Sequence, residues 1–182
     1  PLGLTTMGFK PRRKFPLIRI CPSENDMVFR HQIIHGDVHD QGAAMMGGIS
    51  GHAGLFSNSY DVAVMMQMML NGGVYGGREF LDNSTIDEFN KAHFKENDNR
   101  RGLGFDKPLL EYEDHRSNCK SASPSSFGHS GFTGTYTWAD PENGLVYVFL
   151  SNRTFPDMNN NKLGKLDVRT NIHQLFYESI AP

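Results

Sequence analysis

The residues best suited to chemistry form one run, Phe127-Gly128-His129-Ser130-Gly131-Phe132-Thr133-Gly134. Three glycines within seven positions are costly in a strand and make sense where another molecule approaches the backbone. A strand edge containing glycine offers N–H donors, and acyl transfer needs such donors to hold a developing oxyanion. His129 and Ser130 can either bond a substrate carboxylate or assist proton transfer. The plainer alternative is a glycine-rich strand whose histidine is satisfied within its own fold. Short glycine patterns recur by chance, so the run alone does not choose between the two.

A second candidate is His31, His35 and His39, with Asp37 and Asp40 between and beside them. On a helix, imidazoles four residues apart share a face and can hold a metal ion. Ile33, Ile34, Gly36 and Val38 disfavour that helix, and an extended chain would hold the three too far apart. These histidines are therefore expected to be exposed or bonded individually, and no metal or other cofactor is expected. His52 is expected to be buried and bonded to backbone, and Tyr136 and Trp138 to pack a sheet.

The elements that must position these residues follow from patterning. Pro11, Pro16 and Pro22 break any long helix before Asp40. Gly42 to Ser57 is dominated by glycine and alanine, as in tightly packed loops. A helix then follows, capped by Ser57 or Asn58, with Asp61 in its first turn, where the helix dipole favours negative charge. Val62, Met65, Met66, Met69 and Leu70 supply one apolar face, and Asn71-Gly72-Gly73 ends the helix. A shorter helix is expected from Ser84 or Thr85, with Ile86 and Phe89 inward. Residues 91–101 and 111–126 are polar and read as solvated loops.

The last third changes character. Phe127 to Trp138, a turn at Asp140-Pro141-Glu142-Asn143-Gly144 and the apolar run Leu145 to Leu150 predict an antiparallel hairpin. The unalternated second strand predicts burial on both faces. Val168, Ile172, Leu175, Phe176 and Ser179 mark one side of a C-terminal helix that covers it. Helices and loops followed by hairpin and helix give an α+β class.

The bulk numbers exclude several functions. Basic and acidic residues number 18 and 20 and are dispersed, so nucleic-acid binding lacks electrostatic support. No apolar run approaches the roughly 20 residues of a membrane helix. Cys21 and Cys119 lie far apart in polar settings and read as two unrelated thiols.

Taken in order, Gly51-His52-Ala53-Gly54-Leu55-Phe56-Ser57, Asn71-Gly72-Gly73, Arg101-Gly102-Leu103-Gly104-Phe105 and Gly128-His129-Ser130-Gly131 resemble the C-terminal half of one superfamily. It comprises class C β-lactamases, penicillin-binding proteins and related esterases, and the likeness runs from Pro1-Leu2-Gly3-Leu4 to the terminal helix. Members carry a Ser-x-x-Lys nucleophile, a Tyr-x-Asn-like motif and a Lys-Thr-Gly or His-x-Gly strand motif. The resemblance makes His129-Ser130-Gly131 the third of these and the Phe132 N–H an oxyanion donor. It places His39-Asp40 in a loop supporting the site. Residues 1–182 would then be the C-terminal portion of a single β-lactamase/transpeptidase-like domain, whose nucleophile and tyrosine motif lie upstream of Pro1.

Imitations of the other two motifs exist in the chain. Ser117-Asn118-Cys119-Lys120 matches Ser-x-x-Lys, but chance yields about 0.6 such matches at this composition. It also lies in a polar loop close before His129, where a nucleophile should open a buried helix far upstream. Tyr112-Glu113-Asp114 and Tyr177-Glu178-Ser179 stand in the wrong order for the tyrosine motif.

The resemblance implies a serine hydrolase forming an acyl-enzyme on an amide or ester, with a small-molecule or peptidoglycan-type substrate and a periplasmic or envelope location. Histidine at position 129, where many β-lactamases have lysine, leaves esterase and peptidase open. The alternative is a non-catalytic accessory module of the same fold, attached to a glycoside hydrolase. A partial domain should expose surfaces for self-association or for pairing with the upstream part.

Overall fold

The computed structural model describes residues 2–113 and 118–180. Their core is a three-stranded antiparallel sheet of β7 (Phe127–Ser130), β8 (Tyr136–Asp140) and β9 (Leu145–Phe149), with β8 central. Before it come three small antiparallel pairs. β1 (Gly8–Phe9) pairs with β4 (Leu55–Phe56), β2 (Pro22–Asp26) with β3 (Gln32–His35), and β5 (Val74–Tyr75) with β6 (Arg78–Glu79). The helices are α1 (Gln41–Met45), α2 (Ser59–Leu70), α3 (Asn83–Asn90), α4 (Lys162–Lys165) and α5 (Val168–Ile180). The α+β class stands. No helix among the described residues is long and apolar enough to cross a membrane.

Strand alternation explains the layers, because successive side chains leave opposite faces. On one face Phe127, Ala139 and Val146 meet Met66, Val62, Met69 and Leu70 of α2, with Phe105 beside them. On the other, Tyr136, Trp138 and Tyr147 pack with Phe149 and with Ile172 of α5. Tyr136 and Trp138 are thus sheet-packing aromatics, stacked within 4° of parallel.

The predicted hairpin is a meander. Its first stretch divides at Gly131–Thr135, where the Gly134 N–H bonds the Gly131 carbonyl and the Gly131 N–H bonds the Thr135 carbonyl. Gly134 takes φ 107°, which a side chain resists. β9 carries helices on both faces, yet only Tyr147 is fully buried, because β9 is an edge strand.

The helices also shift their expected faces. Asn58 caps α2 by accepting the Asp61 N–H. Asp61 is itself buried and accepts the Thr6 N–H and hydroxyl and the Met7 N–H, so α2 also packs on a second side with Val64 and Met68. α3 begins at Asn83, capped by Asp82, and buries Ile86 but leaves Phe89 exposed. On α5 the buried residues are His173 and Tyr177, while Leu175 and Phe176 are exposed. Polar aromatics displaced the aliphatic stripe because both have partners under the sheet: His173 stacks on Tyr147 with centroids 4.5 Å apart, and Tyr177 bonds Asp140.

The Ser-rich stretch before β7 is not a free loop. Ser123 and Ser126 are buried, with Ser123 Oγ donating to Asp140 Oδ1 at 2.6 Å and Ser126 Oγ accepting from the Trp138 indole at 2.9 Å. Ser117 and Asp114 of the imitation motifs lie outside the described residues. Tyr177 is a buried structural side chain.

Candidate active-site wall

β7 is an edge strand, and its ladder decides which groups face outward. The Gly131 N–H donates to the Thr135 carbonyl on the β8 side, so in an antiparallel ladder the odd-numbered residues face β8 and the even-numbered ones point away. Gly128 confirms the parity: its N–H and C=O bond Asp106 at 3.0 and 2.8 Å on the outer side. That bridge is a single pair, and among the described residues the outer ladder stops at Gly128. Asp106 is buried and its carboxylate holds Arg100 at 2.9 Å.

The three glycines have internal reasons. A Cβ on Gly128 would meet the Thr137 carbonyl oxygen and the Trp138 indole. One on Gly131 would meet the Thr135 hydroxyl, and one on Gly134 the Ser151 hydroxyl. Close approach does explain them, but the approaching groups belong to the chain itself.

His129 is exposed and its Nδ1 lies 2.8 Å from the Ser130 carbonyl oxygen. His129 shares the α2 face with its cross-strand partner Thr137, whereas half-buried Ser130 shares the α5 face with Tyr136. The two side chains therefore leave opposite faces and share only the strand's end.

Phe132 follows at the tip of the β7–β8 turn, 62% exposed. The Arg153 guanidinium sits 4.5 Å from its ring centroid, and Arg153 Nε donates to the Phe132 carbonyl at 2.8 Å. The His39 ring packs beside it at 5.2 Å, tilted 36°. His39 Nε2 approaches Glu24 Oε2 at 3.1 Å, although the geometry is not that of an aligned hydrogen bond. Arg30 donates to the carbonyls of Val38 and His39, each at 2.7 Å, and to Asp26 at 2.9 Å. Burial alone would raise the Asp26 pKa. The donors from Phe29, Arg30 and Val28 outweigh it and hold the carboxyl well below the usual carboxylate range.

The three spaced histidines go separate ways. His31 occupies the β2–β3 turn at φ 51°, His35 Nε2 bonds the Ile20 carbonyl at 2.6 Å, and His39 meets Glu24. No group of three His, Cys, Asp or Glu side chains is arranged for a metal among the described residues. His52 is exposed, not buried, and bonds side chains: Asp40 at 2.9 Å and Ser50 at 2.8 Å. Asp40 also accepts the Ala43 N–H as cap of α1; that bond and the His52 contact hold its pKa down. Cys21 is exposed and Cys119 buried, both unpaired.

Sequence reasoning missed Glu24, Arg30 and Arg153. The Asp26–Arg30 pair has helix-like spacing but sits in a turn, and nothing in local pattern links Arg153 to Phe132.

A three-stranded antiparallel sheet with α2 on one face and α5 on the other is a β-lactamase-like arrangement, and comparison with known proteins agrees. The Beta-lactamase family model matches residues 1–170. A protein of Salmonella typhi named "Putative D-alanyl-D-alanine carboxypeptidase" is 38% identical over 179 residues, covering 90% of this chain and 40% of the relative. Its namesake in Salmonella enteritidis is 39% identical with the same coverage. A solved beta-lactamase structure from Mycobacterium bovis aligns with a TM-score of 0.52 at 22% identity, over 71% of this chain and 47% of that one. The chain belongs to the Beta-lactamase family. It spans about 40% of the length of the curated relatives it matches.

Proposed function

We propose that this chain is the C-terminal portion of a serine hydrolase domain and supplies one wall of its active site. The observation that carries the reading is the β7 edge: among the described residues its outer ladder ends at Gly128, and the His129-Ser130-Gly131-Phe132 end continues past it. In this reading the Phe132 N–H is an oxyanion donor. His129 and Ser130 bond a substrate carboxylate or assist proton transfer.

The nucleophile and its base come from sequence upstream of Pro1. A serine hydroxyl attacks the amide or ester carbonyl, the oxygen takes up negative charge against the donors, and collapse expels the amine or alcohol to leave an acyl-enzyme. Water then releases the acid. The relatives' name supports a peptide of the D-alanyl-D-alanine type as substrate and an envelope location, with simple esters as the competing class. The exposed Leu175, Phe176 and Ile180 of α5 support pairing with the upstream part or with another copy.

The test compares full-length protein with residues 1–182, using an activated ester, a chromogenic β-lactam and an acyl-D-Ala-D-Ala peptide. Turnover by the full-length protein and none by residues 1–182 is expected. Turnover by residues 1–182 that Ser117→Ala abolishes would overturn the reading.

A further inference from the structure

Phe132 is a large apolar side chain at an exposed turn, yet two residues hold it from opposite sides. Arg153 covers its ring, donates Nε to its carbonyl, and donates its own N–H to the Thr133 carbonyl at 2.9 Å. That residue is anchored in turn, with Nη1 donating to the Met158 and Asn160 carbonyls at 2.9 and 3.0 Å. On the other side stands His39, its carbonyl gripped by Arg30 and its ring edge against the buried Glu24 carboxylate.

Both flanks are mounted on one frame. The Asn25 N–H bonds the Pro156 carbonyl at 2.9 Å, Thr154 Oγ1 donates to the Ser23 carbonyl at 2.7 Å, and the Asn152 amide donates to the Pro22 carbonyl. β2, which carries Glu24, is thereby stitched to the segment that carries Arg153. A turn that needed only to close the β7–β8 connection would not require this, since Gly134 and Gly131 already close it.

We infer that His39, oriented by Glu24, and Arg153 are positioning residues that together fix the Phe132 backbone N–H. The inference rests on the reading of that N–H as an oxyanion donor. None of the three side chains need touch substrate. A donor displaced by an ångström from a developing oxyanion loses much of its effect, so the loss appears in kcat. The charged groups facing the imidazole are Glu24 from β2 and Arg30 at the adjoining carbonyl, with Arg153 across the Phe132 ring.

The experiment uses full-length protein labelled with 15N-phenylalanine, the Phe132 resonance being assigned by Phe132→Leu. His39→Ala, Glu24→Gln and Arg153→Lys are each examined for amide shift, ester hydrolysis and melting temperature. Glu24→Gln is the conservative variant in case His39→Ala does not fold. In each folded variant the Phe132 amide is expected to move, with kcat falling about tenfold and KM changing less than twofold. The double variant of His39 and Glu24 should lose no more than the worse single one. A Phe132 amide unmoved in all folded variants, or additive losses in the double variant, would overturn the positioning role. A moved amide with kcat unchanged would instead overturn the oxyanion reading on which it rests.

Discussion

Tyr177 donates its hydroxyl proton to Asp140 Oδ2 at 2.6 Å, joining the last helix to the end of the central strand. The same carboxylate accepts the Ser123 N–H and hydroxyl and the Asn143 side-chain amide, and it is fully buried. One charge thus ties α5, the β8–β9 turn and the segment before β7. Burial raises its pKa, but the Ser123 and Tyr177 donors prevail and lower it.

Asp140→Asn is expected to destabilise by about 2–4 kcal/mol, since it leaves buried donors mismatched, and Tyr177→Phe by about 1–2 kcal/mol. Urea unfolding at neutral pH measures both. The sign with pH follows from the lowered folded-state pKa. The carboxylate's contribution is present above the unfolded value near 3.9 and is lost as pH falls below it. Asp140→Asn should therefore flatten the steepest acid part of the stability curve. Equal acid sensitivity in both proteins would contradict this assignment.

A different window belongs to His173. Enclosed by Tyr136, Trp138, Tyr147 and Tyr177, its imidazole is pushed by burial down to about 4. The unfolded chain, at about 6.5, binds the proton first, so stability declines as pH falls from 6.5 towards 4. The full effect is of order 3 kcal/mol. His173→Phe keeps the ring packing and should remove the slope in that interval only. Thermal melts from pH 7 to 4 give the comparison.

Two glycine substitutions should differ sharply. Gly128→Ala places a methyl against backbone and indole and is expected to cost about 2–4 kcal/mol. Gly131→Ala meets only the Thr135 hydroxyl, which can rotate, and should cost less than about 1 kcal/mol. Chemical denaturation of the two variants decides; equal costs would refute the Trp138 seat as the reason for Gly128.

The two thiols should separate in reactivity. Burial pushes the Cys119 thiol up to about 11, while Cys21 is exposed. Under native conditions a disulfide reagent should titrate one thiol rapidly, and Cys21→Ser should abolish that phase. Rapid reaction of a second thiol would mean that the Cys119 site opens easily.

Legibility divided along the range of the interactions. Local pattern located α2, narrowed its cap to Ser57 or Asn58 and found the two stretches that hold β7, β8 and β9, because period and turn chemistry depend on near neighbours. It misjudged α5, since Leu175 and Phe176 look more apolar than His173 and Tyr177. What buried the latter pair was partners on β8 and β9, far away in sequence. His52 went wrong for the same reason, its bond to Asp40 lying 12 residues away in a loop of no fixed period. The His129-Ser130-Gly131 strand was found through its glycines, whose spacing reflects Trp138 and Thr135 pressing on the backbone. Arg153 and Glu24 left no local trace at all.

The Trp138 indole resting on Gly128 also acts as an index mark. A slip of one residue between β7 and β8 would put a side chain where the indole lies and would exchange the faces of His129 and Ser130. Alignment is therefore secured at Gly128, one residue before His129. Positions 129 and 130 are released from that duty and can change residue type without shifting the strand. A strand indexed in this way keeps its faces when the side chains beyond the mark are replaced.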